Sequence, residues 1–305
     1  MKKIILIGCT SNLRAVIKSL SKLNNQKLKI VGIINLNEKL GKKKSNFDNV
    51  LDLIKKFKFD SIQISKSINE KKTIKWIKNK NPHIIIQTGW SQKFGNELLK
   101  IPKDACIGIH PSPLPIGRGA ATLNWAIIKG YKNWGVSFFI MNNNYDGGPI
   151  IAKEEFKIDK YDYIGDILNK FDKITFGIIK KNINKWLKNQ FIYKKNNKSN
   201  FFFKRRNPED GEFNLKMTSN KIYKLVRALS DPYPGAFFMY NQKKIIVLKA
   251  NLIKKVNNNF FEKKKYFKMN KAIVFKVKKS FISFEKIKIN NNKIVNGNKL
   301  NDFIK

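Results

Sequence analysis

The chain has 305 residues, of which 42% are hydrophobic, enough to build one large domain or two ordinary ones around a real core. It holds no run of about 18 apolar residues, which excludes a helical membrane span. Its formal net charge of +42 invites a polyanionic partner, but Lys, Asn and Ile recur in patternless loops and Lys greatly exceeds Arg, so drift in an AT-rich genome explains the bias better.

In chain order, Lys3 to Ile7 reads as a buried strand; its apolar run is too short for the core of a signal peptide. Gly8 to Asn12 is a turn without the GxGxxG spacing of a dinucleotide site. Leu13, Val16, Ile17 and Leu20 repeat at helical spacing through Leu23. Leu28 to Asn35 is a second strand, followed by a polar, basic loop from Asn37 to Asn46. Val50 to Phe57 fits a helix, Ser61 to Ile64 a strand, and Thr73 to Lys80 a helix stopped by Asn81-Pro82. Ile84 to Thr88 and Ala105 to Ile109 are further apolar strands. Strands that are almost wholly apolar, alternating with helices, indicate a parallel sheet covered on both faces.

Between Gly108 and Ala121 lies a loop rich in Pro and Gly, with His110, one of only two histidines. A helix is expected from Leu123 to Lys129. Val136 to Met141 is another strand, and it runs into the Asn142 to Pro149 loop with Asp146. Ile150 to Phe156 is extended and Ile164 to Leu187 is one long helix. Lys194 to Asn200 reads as a polar linker and marks the domain boundary, giving domains 1–193 and 201–305. Beyond it a helix from Lys221 to Leu229 stops at Asp231-Pro232-Tyr233-Pro234-Gly235. Strands then follow at Ala236 to Tyr240, Lys244 to Ala250, Ala272 to Val277 and Phe281 to Ile289, a small antiparallel barrel or sandwich. Cys9 and Cys106 lack metal-ligand spacing and read as buried thiols of a reducing cytoplasm.

Ligands of such sheets collect beyond the carboxyl ends of the strands. His110 and Asp146 stand at two strand ends. If those strands are neighbours, the carboxylate orients the imidazole, and the pair can move protons or stabilise charge.

The string His110-Pro111-Ser112-Pro113-Leu114-Pro115, Arg118-Gly119, Trp125-Ala126-Ile127, Gly130 and Asp146 to Ile150 resembles the N10-formyltetrahydrofolate-dependent formyltransferases. Asp146 follows His110 by 36 residues, as expected of that family. Phe203 to Gly211 and Arg227 to Ala236 resemble the C-terminal domain of the methionyl-tRNA and sugar-nucleotide members. The resemblance reaches to about Ala250. It implies a Rossmann-like catalytic domain, an OB-like C-terminal domain, and formyl transfer from N10-formyltetrahydrofolate to a primary amine without a metal. His110 and Asp146 would be catalytic. Gly89, Trp90, Ser91, Gln92, Leu114, Ile140, Met141, Asn142 and Tyr145 would hold the folate, and Ser112 and Arg118 the acceptor. The family usually carries Asn two residues before the His, as an oxyanion donor; this chain has Gly108. Gln87, Gln92 and Asn142 to Asn144 are the candidate substitutes. The Gly-Trp-Ser-Gln turn points first to a nucleotide-linked amino sugar as acceptor. Initiator tRNA, gripped by Lys42 to Lys44, is the alternative, and a non-catalytic binding protein the third. No membrane partner is expected; a second copy of the chain is an allowed partner.

Overall fold

The computed structural model describes residues 1–23, 26–197, 201–254, 266–278, 280–289 and 293–302. The end of the polar stretch at 194–200 and the loop between 255 and 265 therefore lie partly or wholly outside the described residues. Described in order are β1 (Lys2–Gly8), α1 (Ser11–Lys22), β2 (Leu28–Leu36), α2 (Glu38–Gly41), α3 (Leu51–Phe57), β3 (Ser61–Ile64), α4 (Lys71–Lys80), β4 (Ile84–Thr88), α5 (Asn96–Leu99) and β5 (Ala105–His110). There follow β6 (Arg118–Gly119), α6 (Thr122–Lys129), β7 (Asn133–Ile140), β8 (Ile150–Lys157), α7 (Ile164–Trp186) and β9 (Phe202–Phe203). The last part holds α8 (Ser219–Leu229), β10 (Ala236–Tyr240), β11 (Lys243–Ile253), β12 (Tyr266–Met269), β13 (Ala272–Val277), β14 (Ser280–Ile289) and β15 (Lys293–Asn296).

The chain divides into two compact units. The first comprises Met1–Thr122, Asn133–Lys157 and Leu168–Lys204. Its seven-stranded sheet has the order β3-β2-β1-β4-β5-β7-β8. The ladders from β3 to β5 are parallel, while β5–β7 and β7–β8 are antiparallel. Ile4 to Ile7 are all wholly buried, as expected of a central strand covered on both faces. Over one face, Ile5, Ile7, Ile34 and Ile85 pack with Ile74 and Ile77 of α4 and Leu98 of α5. Over the other lie α1 and α7, joined where Asn12 Nδ2 donates to Asp172 Oδ1 at 2.6 Å and to Thr175 Oγ1 at 3.2 Å. The strand order reverses between β1 and β4, so the carboxyl ends at Gly8 and Thr88 form the switch point at which sheets of this kind take ligands.

The second unit comprises Leu123–Lys132, Ile158–Ile167 and Arg205–Lys305. Two excursions from the N-terminal stretch join it through specific bonds. Asn124 Nδ2 donates to Ala228 O at 2.7 Å, and the Tyr163 hydroxyl donates to Ala250 O and accepts from Ala250 N. Its sheet is antiparallel, ordered β10-β11-β14-β13-β12, with β15 on β14. Phe213, Phe238, Phe275 and Phe284 fill its core. Tyr240 and Tyr266, on the two ends of that order, bring their rings to 6.1 Å, so the sheet curls on itself.

Some elements differ from expectation. The basic loop after β2 contains the single turn α2, because the Asn37 side chain accepts from Leu40 N and caps it. α8 starts at Ser219, where the Thr218 hydroxyl accepts from Lys221 N. Lys194 is not free chain: it forms an antiparallel bridge with Ile150. Cys9 and Cys106 are free and buried, and burial pushes their thiols up to about 11 and about 12. Among the described residues, no helix is long and apolar enough to cross a membrane.

Candidate active site

Every residue of β5 is buried, and His110 is its last. The turn that follows is tied down by its own polar groups. Ser112 N donates to His110 O, Leu114 N donates to Ser137 Oγ, and Ser137 Oγ donates to Ser112 O. Thr122 Oγ1 and Trp134 Nε1 both donate to Pro111 O. The His110 side chain is 9% exposed. Its Nε2 lies 2.8 Å from Gly117 O, and since a carbonyl only accepts, the hydrogen sits on Nε2 in this arrangement.

Asp146 reaches the same imidazole from the β7–β8 hairpin. Ile140 of β7 pairs with Ile107 of β5, three residues short of His110. The loop between the two hairpin strands carries Asp146 back along the sheet, with a left-handed φ of +49°. Asp146 Oδ1 is 3.5 Å from His110 Nδ1, and Oδ2 accepts from Gly119 N at 2.9 Å. β5 and β7 are neighbours but antiparallel, so it is the loop after β7, not the strand end, that brings Asp146 to His110.

The turn after β4 is shaped by Gly89. Its φ is +58°, and a Cβ there would fall 2.1 Å from Thr10 Oγ1, so only glycine fits. Cys9 Sγ donates to Gly89 O at 2.9 Å, which joins this turn to the end of β1. Trp90 is buried, and its Nε1 has no acceptor. Ser91 Oγ meets the Lys44 ammonium at 3.2 Å. Met141 packs both against the cluster holding Trp90 and Cys106 and against the one holding Leu114, Phe139 and Ile150. The turn and the loop after β7 are thereby brought together, with Lys93 Nζ 5.5 Å from the centre of the exposed Tyr145 ring.

Several candidate side chains face other partners. Gln92 Oε1 accepts from Ile68 N and its Nε2 donates to Lys66 O, bracing a neighbouring loop. Gln87 Nε2 donates to Trp90 O, and Asn142 Oδ1 accepts from Asn144 N. The Ile140 amide donates to Pro149 O and the Met141 amide to Cys106 O. Leu114 is wholly buried. Arg118 is 5% exposed, with Nη2 donating to Asn196 Oδ1 and Asn197 O, while its Nε and Ser112 Oγ are buried with no partner. Among the described residues no group of His, Cys, Asp and Glu converges as a metal site would require.

Gly108 has a packing reason of its own. It pairs with Phe139 across the β5–β7 ladder, and a Cβ on it would fall 2.5 Å from that ring. Sequence reasoning missed Asn196 altogether. It sits in a run of Lys and Asn, a composition that signals only solvated chain, and no motif distinguishes it.

Residues 1–180 match the formyl transferase family, and residues 206–303 its C-terminal domain. Over 189 residues the chain is 34% identical to the bifunctional polymyxin resistance protein ArnA of Wigglesworthia glossinidia brevipalpis, covering 61% of this chain and 29% of that one. It is 30% identical over 180 residues to the methionyl-tRNA formyltransferase of Thermodesulfovibrio yellowstonii, covering 59% and 58% respectively. The aligned part thus spans under two-thirds of the length of these relatives. The crystal structure of an N-formyltransferase from Helicobacter canadensis, in complex with folinic acid and dTDP-3-aminofucose, shares the fold with a TM-score of 0.67 at 19% identity, over 93% of this chain and 99% of that one. A family match that takes in more than half of the sequence, including both the His110 loop and the Asp146 hairpin, makes this chain a member of the formyl transferase family.

Proposed function

We propose that the protein transfers a formyl group from N10-formyltetrahydrofolate to the primary amine of a nucleotide-linked amino sugar. The observation that carries the reading is the His110–Asp146 pair, brought together from the end of β5 and the loop of the β7–β8 hairpin. The residues fit a folate. Trp90 Nε1, beside the Gly89 turn, is a buried donor with no acceptor. When bound, the folate supplies an activated formyl carbon.

His110 accepts at Nε2 the proton that the attacking amine releases and passes it to the folate nitrogen whose bond to the formyl carbon breaks; this requires the ring hydrogen to sit on Nδ1, toward Asp146, and Nε2 to exchange Gly117 O for the amine. Asp146 holds the ring through Nδ1 and balances the charge that this creates. Gly89, Trp90, Ser91, Gln92, Leu114, Ile140, Met141, Asn142 and Tyr145 are the proposed folate contacts, with Gln92 and Leu114 acting through the shape they give the walls. Ser112 and Arg118 stand on the proposed acceptor side. Arg118 reaches an acceptor phosphate only by exchanging its bonds to Asn196 and Asn197.

The second reading is initiator-tRNA formylation, favoured by the exposed Lys42 in the loop that carries Lys42 to Lys44. A formyl-folate assay offering dTDP-linked amino sugars beside charged initiator tRNA separates the two. Formylation of the tRNA alone would refute the sugar reading, and formylation of neither would refute both.

A further inference from the structure

The Asn196 amide joins parts of the site that the sequence keeps far apart. Its Nδ2 donates to Asp146 O and to Gly148 O, each at 2.8 Å, and its Oδ1 accepts from Arg118 Nη2 at 2.8 Å. Both amide hydrogens are thus spent on the Asp146 hairpin. The segment is delivered by the bridge two residues earlier, where Ile150 N donates to Lys194 O at 2.9 Å and Lys194 N to Ile150 O at 2.7 Å. Arg118 adds a bond to Asn197 O at 2.9 Å.

The hairpin needs this support. Asp146 adopts a left-handed φ, which costs a non-glycine residue about 1 kcal/mol unless its surroundings hold it. Its carboxylate reaches His110 Nδ1 at only 3.5 Å, so a small outward shift breaks the approach. Misplacing a reacting group by about 1 Å can cost ~100-fold in rate.

We propose that Asn196 is a positioning residue: it fixes the Asp146 backbone so that the carboxylate faces the His110 ring. The inference rests on the proposed roles of His110 and Asp146. Arg118, by orienting the amide, acts on the same hairpin. The side chain of one residue in a Lys/Asn run therefore belongs to the site.

The chain holds only two histidines, so the ring nitrogens of the full-length protein labelled with 15N-histidine give a direct test at fixed pH. His83, whose Nδ1 accepts from Lys3 N at the edge of β1, serves as internal control. Asn196→Ala and Asn196→Asp are compared with Asp146→Asn. The Asp variant keeps the acceptor for Arg118 but loses both donations to the hairpin. We expect both Asn196 variants to move the His110 Nδ1 signal in the direction that Asp146→Asn moves it, with His83 unchanged. With a dTDP-linked 3-amino sugar as acceptor, kcat should fall ~10- to 100-fold while KM for the folate stays within about twofold. A His110 signal unmoved in both Asn196 variants, but moved in Asp146→Asn, overturns the positioning role alone. A signal unmoved in Asp146→Asn overturns the pairing on which it rests. Loss of the His83 signal in both Asn196 variants would make Asn196 a folding residue and overturn the proposal too.

Discussion

His110 has an acceptor on each side, Gly117 O at Nε2 and Asp146 Oδ1 at Nδ1. Removing the ring takes away the group that lies between these two oxygens, and with it the proposed proton acceptor. His110→Ala should therefore lower turnover at least ~100-fold in a formyl-folate assay; turnover near wild type would remove the residue from the mechanism. Asp146→Asn keeps the shape and the acceptor for Gly119 N but removes the charge. Turnover should fall steeply while the folate dissociation constant, measured by fluorescence titration, changes little. Gly108 calls for a different expectation. The Phe139 ring occupies the space of its Cβ, so Gly108→Asn alone should lower the melting temperature and leave turnover equal or lower. Combined with Phe139→Ala, which opens the space, the same Asn becomes a fair test of an added oxyanion donor, and a rise in turnover would mean that the present site lacks one. At this scale the sequence was legible where a specific motif string singles out residues as candidates, as with His110 and Asp146. It was silent on Phe139 facing Gly108 and on Asn196, because a contact across a sheet or from a distant segment leaves no mark in local pattern.

The elements that carry the site are held by polar links as much as by their apolar faces. Thr88, the last residue of β4, donates from Oγ1 to Asn12 Oδ1 at 2.6 Å, and Asn12 of α1 in turn donates to Asp172 of α7. This chain of bonds locks β4, and the Gly89 turn beyond it, to two helices. Its cost lies at Asp172. Burial raises that carboxyl to about 6, with the Asn12 bond pulling it down and Asp48 pushing it up. The folded chain then holds a proton that the unfolded chain has already released between the ordinary carboxylate value and about pH 6. The stabilising effect is full below about pH 4 and is lost as pH rises through 6, leaving the fold about 3 kcal/mol less stable at neutral pH than with an unshifted group. Asp172→Asn removes that dependence while keeping an oxygen for Asn12. Thermal melts should show it more stable than wild type at pH 8 and little different at pH 4; equal melting temperatures at pH 8 would show that the carboxylate is not penalised. The apolar strands β1, β2, β4 and β5 were readable because both their faces are covered. The two-residue pair β6 and β9, which ties Gly119 to Phe203, was not, since two residues carry no period. Neither were the one-turn helices α2 and α5, whose existence depends on local caps and packing.

Across the whole molecule two questions of scale remain, where the chain divides and what its charge is for. We propose a domain division between residues 193 and 201. Limited proteolysis should cut first between Asn197 and Phe201, beyond the bonds that hold Lys194, Asn196 and Asn197, and a first cut between Ile84 and Ile150 would contradict it. Lys and Arg number 63 against 21 for Asp and Glu, and the acidic minority is drawn into pairs such as Arg14 with Asp48 and Asp52. If the excess is compositional, it adds a diffuse field, not a set of phosphate contacts. Salt separates these. Each phosphate neutralised on binding contributes close to one unit of slope in the logarithm of affinity against that of salt concentration. An acceptor that presents a diphosphate can engage about two phosphates, so its KM should rise about tenfold over a fourfold increase in salt. A tRNA held through about six phosphate contacts would lose ~1000-fold over the same range. The amino-sugar reading therefore expects a shallow line, and Lys42→Gln, Lys43→Gln and Lys44→Gln together should leave its slope unchanged. A steep line that flattens in that triple variant would instead make the basic loop a phosphate grip and the acceptor a nucleic acid.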